Sequence, residues 1–299
     1  MRRLLTSFSV FVLLIAAVST RADGRFFESD GVRIQYYDEG KGVPLVMLHG
    51  GAGSAAFWSE DTGPDFIGYD LQGALVAAGY RVLAIDLRGY GKSDKPHSTS
   101  AYGFEMSRDV VRLLDHLDIE KAHVMGYAQG GLIGNWMRRE NPDRMLTMTM
   151  CSGGLMPEDS FWVIHADEFA DGIAKLDMTP IVREMTPPGH PVPSPEEVHA
   201  RYADMFEKID MQALSAMVRA QALPDSPEEL RSNTVPTLIF IGEHDHNRRD
   251  VTVLANHMSS MEMMVLPGAS HQQAVREPTF LAEFLKFIDR SHLSKEDHP

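Results

Sequence analysis

Short apolar runs that stop in glycine-bearing loops, with helix-forming stretches between them, leave this chain few folds to adopt. Residues 44–48 run into His49-Gly50-Gly51-Ala52-Gly53, and residues 81–85 into Asp86-Leu87-Arg88-Gly89-Tyr90-Gly91-Lys92-Ser93-Asp94. Such runs predict buried parallel strands, whose two faces are both covered by helices. Residues 69–78 have helical composition, and Met106, Val110, Val111, Leu113, Leu114 and Leu117 mark the apolar stripe of a longer helix. The series continues with a strand over 122–127, a helix over 130–140 stopped by Asn141-Pro142, and strands over 145–151, 237–241 and 263–266. Pro278 opens a last helix with Phe280, Leu281, Phe284, Leu285, Phe287 and Ile288 on one face. Near the start, Val32, Ile34 and Tyr36 alternate along a strand that stops at Gly40-Lys41-Gly42, the pattern of an antiparallel hairpin at a sheet edge. The predicted fold class is α/β, a mostly parallel sheet with helices on both faces.

Residues 155–232 interrupt the alternation. Helical patterns over 161–176 and 196–221 are separated by Pro187-Pro188-Gly189-His190-Pro191-Val192-Pro193-Ser194-Pro195, which regular helix does not accommodate. We read the segment as a helical lid inserted after the strand that ends at Cys151. Residues 23–154 and 233–299 then form the core domain. Met156, Met178, Met185, Met205, Met211 and Met217 fall in the insert; methionine surfaces adapt to varied apolar ligands, but most of these are expected to serve ordinary helix packing.

The first 22 residues have a different character: Arg2 and Arg3 precede a mostly apolar run over 4–18, and no acidic residue occurs before Asp23. This predicts a signal peptide over residues 1–22, with Thr20-Arg21-Ala22 offering small residues to a signal peptidase, and a secreted or periplasmic protein. An uncleaved anchor is the alternative, against which the run is shorter than the roughly 20 residues that span a bilayer; no other stretch reads as transmembrane, so no stable membrane span is expected after its removal. Cys151 is the only cysteine, which excludes an internal disulfide and leaves stability to the core of a 299-residue chain that is 43% hydrophobic. A formal charge of −14 without a cluster of Lys and Arg argues against a nucleic-acid partner.

Gly126-Tyr127-Ala128-Gln129-Gly130 sits where a strand turns into a helix. In the G-x-S-x-G pattern a serine on such a turn holds its hydroxyl above the first helical N–H groups. Here Ala128 places a methyl group where that hydroxyl belongs. Two more glycine-flanked loops follow late strands, Gly242-Glu243-His244-Asp245 and Gly268-Ala269-Ser270-His271. In an open α/β sheet, residues beyond the carboxyl ends of the strands meet across the sheet. His244-Asp245-His246 offers no third ligand at a set spacing, so neither a metal nor a cofactor is expected.

The chain order of elbow, acid and histidine, with His49-Gly50-Gly51 after an early strand and the D-x-R-G-x-G-x-S-D run from Asp86 to Asp94, resembles the α/β-hydrolase family over about residues 25 to 290. The resemblance implies that the elbow residue is the nucleophile position, that Asp245 orients His271, and that His271 is the general base. It also implies an oxyanion hole from the backbone N–H groups of Gly51 and Gln129, with His49 in a structural role. Every part of that set is present except the hydroxyl. Cys151 and Ser152 end the neighbouring strand, but neither stands on an elbow, so neither replaces it.

Three readings of Ala128 follow. The chain is a hydrolase inactivated at its serine; or Asp245 and His271 work without a covalent intermediate, activating water or abstracting a substrate proton as the family's lyases and cofactor-free oxygenases do; or the lidded pocket is a non-catalytic ligand receptor. The expected substrate is a small, partly apolar molecule, an ester, amide or related acyl compound. Epoxide hydrolase and dehalogenase mechanisms are not expected without a carboxylate at position 128.

Overall fold

The computed structural model describes residues 23–59, 70–186, 189–276 and 279–296. The predicted signal peptide and Pro278 lie outside the described residues. Along the chain come β1 (Arg25–Ser29), β2 (Val32–Gly40), β3 (Pro44–Leu48), α1 (Leu71–Ala77), β4 (Arg81–Ile85), α2 (Phe104–His116), β5 (Ala122–Tyr127), α3 (Gln129–Glu140) and β6 (Met145–Cys151). Six helices follow: α4 (Phe161–Ile164), α5 (Ala166–Ala174), α6 (Thr179–Met185), α7 (Pro195–Lys208), α8 (Met211–Ala220) and α9 (Pro227–Ser232). The remainder is β7 (Thr237–Gly242), α10 (Arg248–Ala255), β8 (Met261–Leu266) and α11 (Phe280–Glu296).

The strands make one sheet in the order β1-β2-β4-β3-β5-β6-β7-β8. Only the β1/β2 and β2/β4 pairs are antiparallel. From β4 to β8 every pair is parallel, with Leu48 beside Gly126, Tyr127 beside Cys151 and Gly242 beside Leu266. That register brings the loops after β3, β5, β6, β7 and β8 to one edge of the sheet. Successive residues of a strand face opposite sides. Val46, Leu48 and Val124 therefore pack in one core cluster with Trp136 of α3 and Val110 of α2, while Leu45, Met47 and Met125 pack in another with Leu75 of α1 and Phe284 of α11. Each such side chain contributes about 1.5–3 kcal/mol by leaving water.

The insert differs from its predicted outline. The segment over 161–176 breaks at His165, between α4 and α5, and the segment over 196–221 breaks at Asp210. The Asp210 carboxylate accepts the backbone N–H groups of Gln212 and Ala213, at 3.1 and 3.0 Å, and so starts α8 as a new helix. Pro195 is the first residue of α7, where its missing N–H has no helical acceptor to lose; Ser194 and Glu197 close a capping box around it. The helices α6 and α9 are too short, at seven and six residues, to show an apolar period in the sequence. Among the described residues no helix is long and apolar enough to cross a membrane.

Candidate active site

The turn from β5 into α3 is made at Ala128, with φ 49° and ψ −112°. A side-chain-bearing residue held there carries strain of order 1–3 kcal/mol, which the surroundings must impose. They do so through backbone contacts. The Ala128 N–H donates to the Cys151 carbonyl at 2.8 Å. A Cβ at Gly126 would come within 2.2 Å of Gly130, and a Cβ at Gly130 within 2.1 Å of the Leu48 carbonyl oxygen, so strand and helix approach this closely only because both are glycine. The elbow is thus as tight as an exposed nucleophile requires, with a methyl group at its tip.

Gln129 opens α3, and the N–H of a first helical residue has no intrahelical acceptor. Its side chain reaches the insert, with Nε2 2.9 Å from Met217 Sδ and 2.9 Å from Gln221 Oε1. Across from it, a Cβ at Gly51 would lie 3.7 Å from both Gln129 Oε1 and Tyr90 Oη, so these three residues close on one point. Tyr90 is buried, which pushes its phenol up to about 12 and keeps it protonated. The His49 ring braces the β3 loop: Nδ1 donates to the Gly50 carbonyl at 2.7 Å, and Nε2 accepts the Leu87 N–H at 3.1 Å. Burial lowers its pKa and favours this neutral form, the arrangement of a structural histidine.

The loops after β7 and β8 bring Asp245 and His271 together. His271 Nδ1 lies 3.0 Å from both carboxylate oxygens of Asp245, whose side chain is fully buried. Asp245 Oδ1 also accepts the Asn247 N–H at 2.9 Å. The His271 main chain is fixed separately, its carbonyl accepting the Ser152 hydroxyl at 2.7 Å and the Tyr127 hydroxyl at 3.4 Å. With Nδ1 engaged, Nε2 is the nitrogen left for proton transfer.

Three site residues escaped the sequence reading. Ser152, set aside as a nucleophile, positions His271 through its hydroxyl. Tyr90 sits inside a loop motif that gave no sign of its contact with Gly51. His246 packs against His271 with ring centroids 4.4 Å apart; burial, reinforced by the neighbouring imidazole, pushes it down to about 4, so it stays neutral. Only its place beside Asp245 in the chain hinted at this. The histidines that converge on Asp245 are His246 and His271, not His244 and His246, and the ligand-type atoms of these three residues lie within 4.8 Å of one another. The shortest approach in that group is the hydrogen-bonded pair of Asp245 and His271. Cys151 is fully buried, and burial pushes its thiol far up, away from thiolate chemistry.

Two cavities meet at this point and share Gly51, Ala52, Tyr90, Ala128 and His271. The inner one, about 300 Å³, runs from Ala128 and His271 under the inserted helices. Met156, Met178, Met185 and Met205 line it, so four of the six methionines expected mostly in helix packing face a ligand-sized space. The outer one, about 420 Å³, opens past Lys95 and Lys208.

A sequence profile of the alpha/beta hydrolase fold matches residues 43–177, which carry β3 through β6 and the elbow. The chain has the α/β-hydrolase fold. Its relatives include a 2-hydroxy-6-oxononadienedioate/2-hydroxy-6-oxononatrienedioate hydrolase of Paraburkholderia xenovorans, 34% identical over 48% of this chain and 48% of that protein. The chain thus aligns with about half the length of that relative. A 3-oxoadipate enol-lactonase of Acinetobacter baylyi is 27% identical over 81% of this chain and 92% of that protein. Among solved structures, a thermophilic esterase from Thermogutta terrifontis superposes with a TM-score of 0.69 at 20% identity, covering 91% of this chain and all of that one. A hydrolase from Pseudomonas aeruginosa does so with a TM-score of 0.67 at 22% identity, over 89% of this chain and 98% of that one. These last two likenesses speak to the α/β-hydrolase fold alone.

Proposed function

We propose that the protein is an exported enzyme in which Asp245 and His271 hydrolyse a small, partly apolar acyl substrate, an ester, amide or related compound, without a covalent intermediate. The observation that carries this reading is the engagement of His271 Nδ1 with both oxygens of Asp245, at 3.0 Å, beside an elbow that has no hydroxyl. In the mechanism, His271 Nε2 takes a proton from a water held above the Ala128 methyl. The resulting hydroxide adds to the acyl carbon while Asp245 stabilises the imidazolium. The Gly51 and Gln129 N–H groups receive the developing oxyanion. The tetrahedral adduct collapses as His271 returns the proton to the leaving group, so atoms and charge balance and nothing stays attached to the protein. The inserted helices act as the lid over the inner cavity. The hydrolase and lactonase relatives favour hydrolysis over a purely receptor role.

The test restores the missing group. Ala128→Ser should turn over short p-nitrophenyl esters with an acyl-enzyme burst, and adding His271→Ala should lower kcat by roughly 10⁴-fold. A folded Ala128→Ser variant with neither burst nor turnover sinks the idea of a preserved site. For the unsubstituted chain, ester hydrolysis that survives His271→Ala intact removes the water mechanism, and ligand binding without any turnover replaces it with the receptor reading. Export is tested separately: amino-terminal sequencing of the mature protein should begin at Asp23, two residues before β1.

A further inference from the structure

The charges around the two cavities are distributed unequally. Among the described residues lining the inner cavity there are one carboxylate, Asp250, and two imidazoles, His246 and His271, and there is no lysine or arginine. Asp250 is 5% exposed, and among the described residues the cation paired with it is Arg249, with Nη1 3.0 Å from Oδ1. Arg249 is itself 56% exposed and turned outward, where it also holds Asp159. The outer cavity is provided differently, with two lysines, Lys95 and Lys208, against one carboxylate, Asp210. Because Ala128 and His271 belong to both cavities, a substrate whose reacting carbonyl sits at His271 has one arm inward and one arm outward.

We infer that the inner cavity takes an uncharged apolar arm of about eight to ten carbons, tolerates a hydroxyl on that arm where it meets Asp250, and rejects an arm that ends in a carboxylate. The inference rests on the proposed reading that this cavity is the substrate site. A carboxylate brought inward leaves water without meeting a cation, and does so beside Asp250. A hydroxyl in the same place has an acceptor in Asp250. An anionic group on the outward arm has two lysines to set against the single Asp210 carboxylate. The residues that select the arm are Asp250 at the polar wall and Met178, Met185 and Met205 along the apolar walls, whose unbranched side chains adapt to the arm's shape.

Three ten-carbon methyl ketones, which share a carbonyl that cannot be hydrolysed and differ only in ending in a methyl, a hydroxyl or a carboxylate, separate the possibilities. Binding to the unsubstituted chain is read by displacement of Nile red at pH 8. The methyl- and hydroxyl-ended ketones should bind within a few-fold of each other and the carboxylate-ended one on the order of a hundredfold more weakly, with Asp250→Asn narrowing that gap about tenfold. Lowering the pH through the ligand's own carboxyl pKa should narrow it in the unsubstituted chain as well, which gives a readout independent of any variant. Equal binding of carboxylate- and methyl-ended ketones overturns the inference, as does failure of all three to bind. Because the experiment reads binding, its failure is distinct from failure of the Ala128→Ser turnover that tests the hydrolytic reading.

Discussion

Ala128 and His271 are held by the sheet and the loops next to it, whereas the inserted helices are tied to the core around Asp225 and by contacts farther out. The Ala128 N–H is bonded to Cys151 across the strands, and the His271 carbonyl takes two hydroxyls from the loop after β6 and the end of β5. The insert has a different attachment. Its two ends meet at Asp225, whose N–H donates to the Met156 carbonyl at 2.7 Å and whose Oδ2 accepts the Met156 N–H at 2.8 Å. Asp225 Oδ1 accepts Asn135 Nδ2 at 2.7 Å, and Arg139 Nη1 lies 3.5 Å away, both on the helix that begins at the elbow. Farther out, the insert touches the core through His97 with Asp210 and Arg249 with Asp159. The elbow is fixed within the sheet's own ladder, while the inserted helices rest on the core through shared apolar packing and a small number of polar tethers. Loss of one tether should therefore alter the insert and leave the elbow standing.

The largest effect belongs to Asp225. Burial pushes its carboxyl up to about 6, against the pull of the Met156 N–H, Arg139 and Asn135. An unfolded chain binds that proton with a pKa of about 3.9, so the folded state holds it more tightly. The sign follows: this group's contribution to stability is complete below about pH 4 and is lost as the pH rises through about 6, a change on the order of 3 kcal/mol. Asp225→Asn has no proton to release. Between pH 4 and 7, melting temperatures should shift in favour of the variant relative to the unsubstituted chain. A difference that stays flat across that window means the hinge carboxylate does not titrate as its burial requires.

On the core side, Ser152 is the residue to change. In the Ala128→Ser background, Ser152→Ala removes the 2.7 Å bond to the His271 carbonyl and leaves the longer one from Tyr127. Expected are a fall in kcat of about tenfold with KM unchanged and a stability loss of about 1 kcal/mol. A change confined to KM would mean that Ser152 shapes the cavity and not the base.

The same division decides what was legible in the sequence. Strands buried on both faces appear as unbroken apolar runs, and β3, β4, β5 and β6 fall where those runs predict. β8 begins two residues earlier than read, because it is an edge strand and Met261, Met263 and Met264 are only half-buried, which thins the apolar signal. The elements of the insert are short and separated by caps such as Asp210 and Ser226, so apolar spacing does not delimit them. Asp245, His271, Gly51, Ala128 and Gln129 could be placed at one edge of the sheet because each follows a strand end and stands in or beside a glycine-bearing turn. Tyr90, Ser152 and His246 could not, because what each does depends on a contact between loops that are far apart in the chain or on the packing of two rings.

The smallest effect tests whether the insert's outer tether matters at all. His97 Nε2 lies 2.9 Å from Asp210 Oδ2, with the two side chains 59% and 30% exposed, and a pair so open to solvent contributes about 0–1 kcal/mol. Asp210 has a second task, since its other oxygen caps α8, and a lost cap costs about 1 kcal/mol by itself. Burial works to raise the Asp210 carboxyl, but its bonds to His97 and to the Ala213 and Gln212 N–H groups outweigh that and hold it below the usual carboxylate range. Its contribution is therefore present above about pH 4 and fades on acidification, opposite in sign to that of Asp225. Urea denaturation at pH 7 should give a small loss for His97→Ala, a larger one for Asp210→Ala, and a double variant close to Asp210→Ala alone, since removing Asp210 already breaks the pair. If His97→Ala instead loses as much as the Asp210 variant, the ion pair and not the cap anchors α8. The insert would then be held at its solvent edge as firmly as at its hinge.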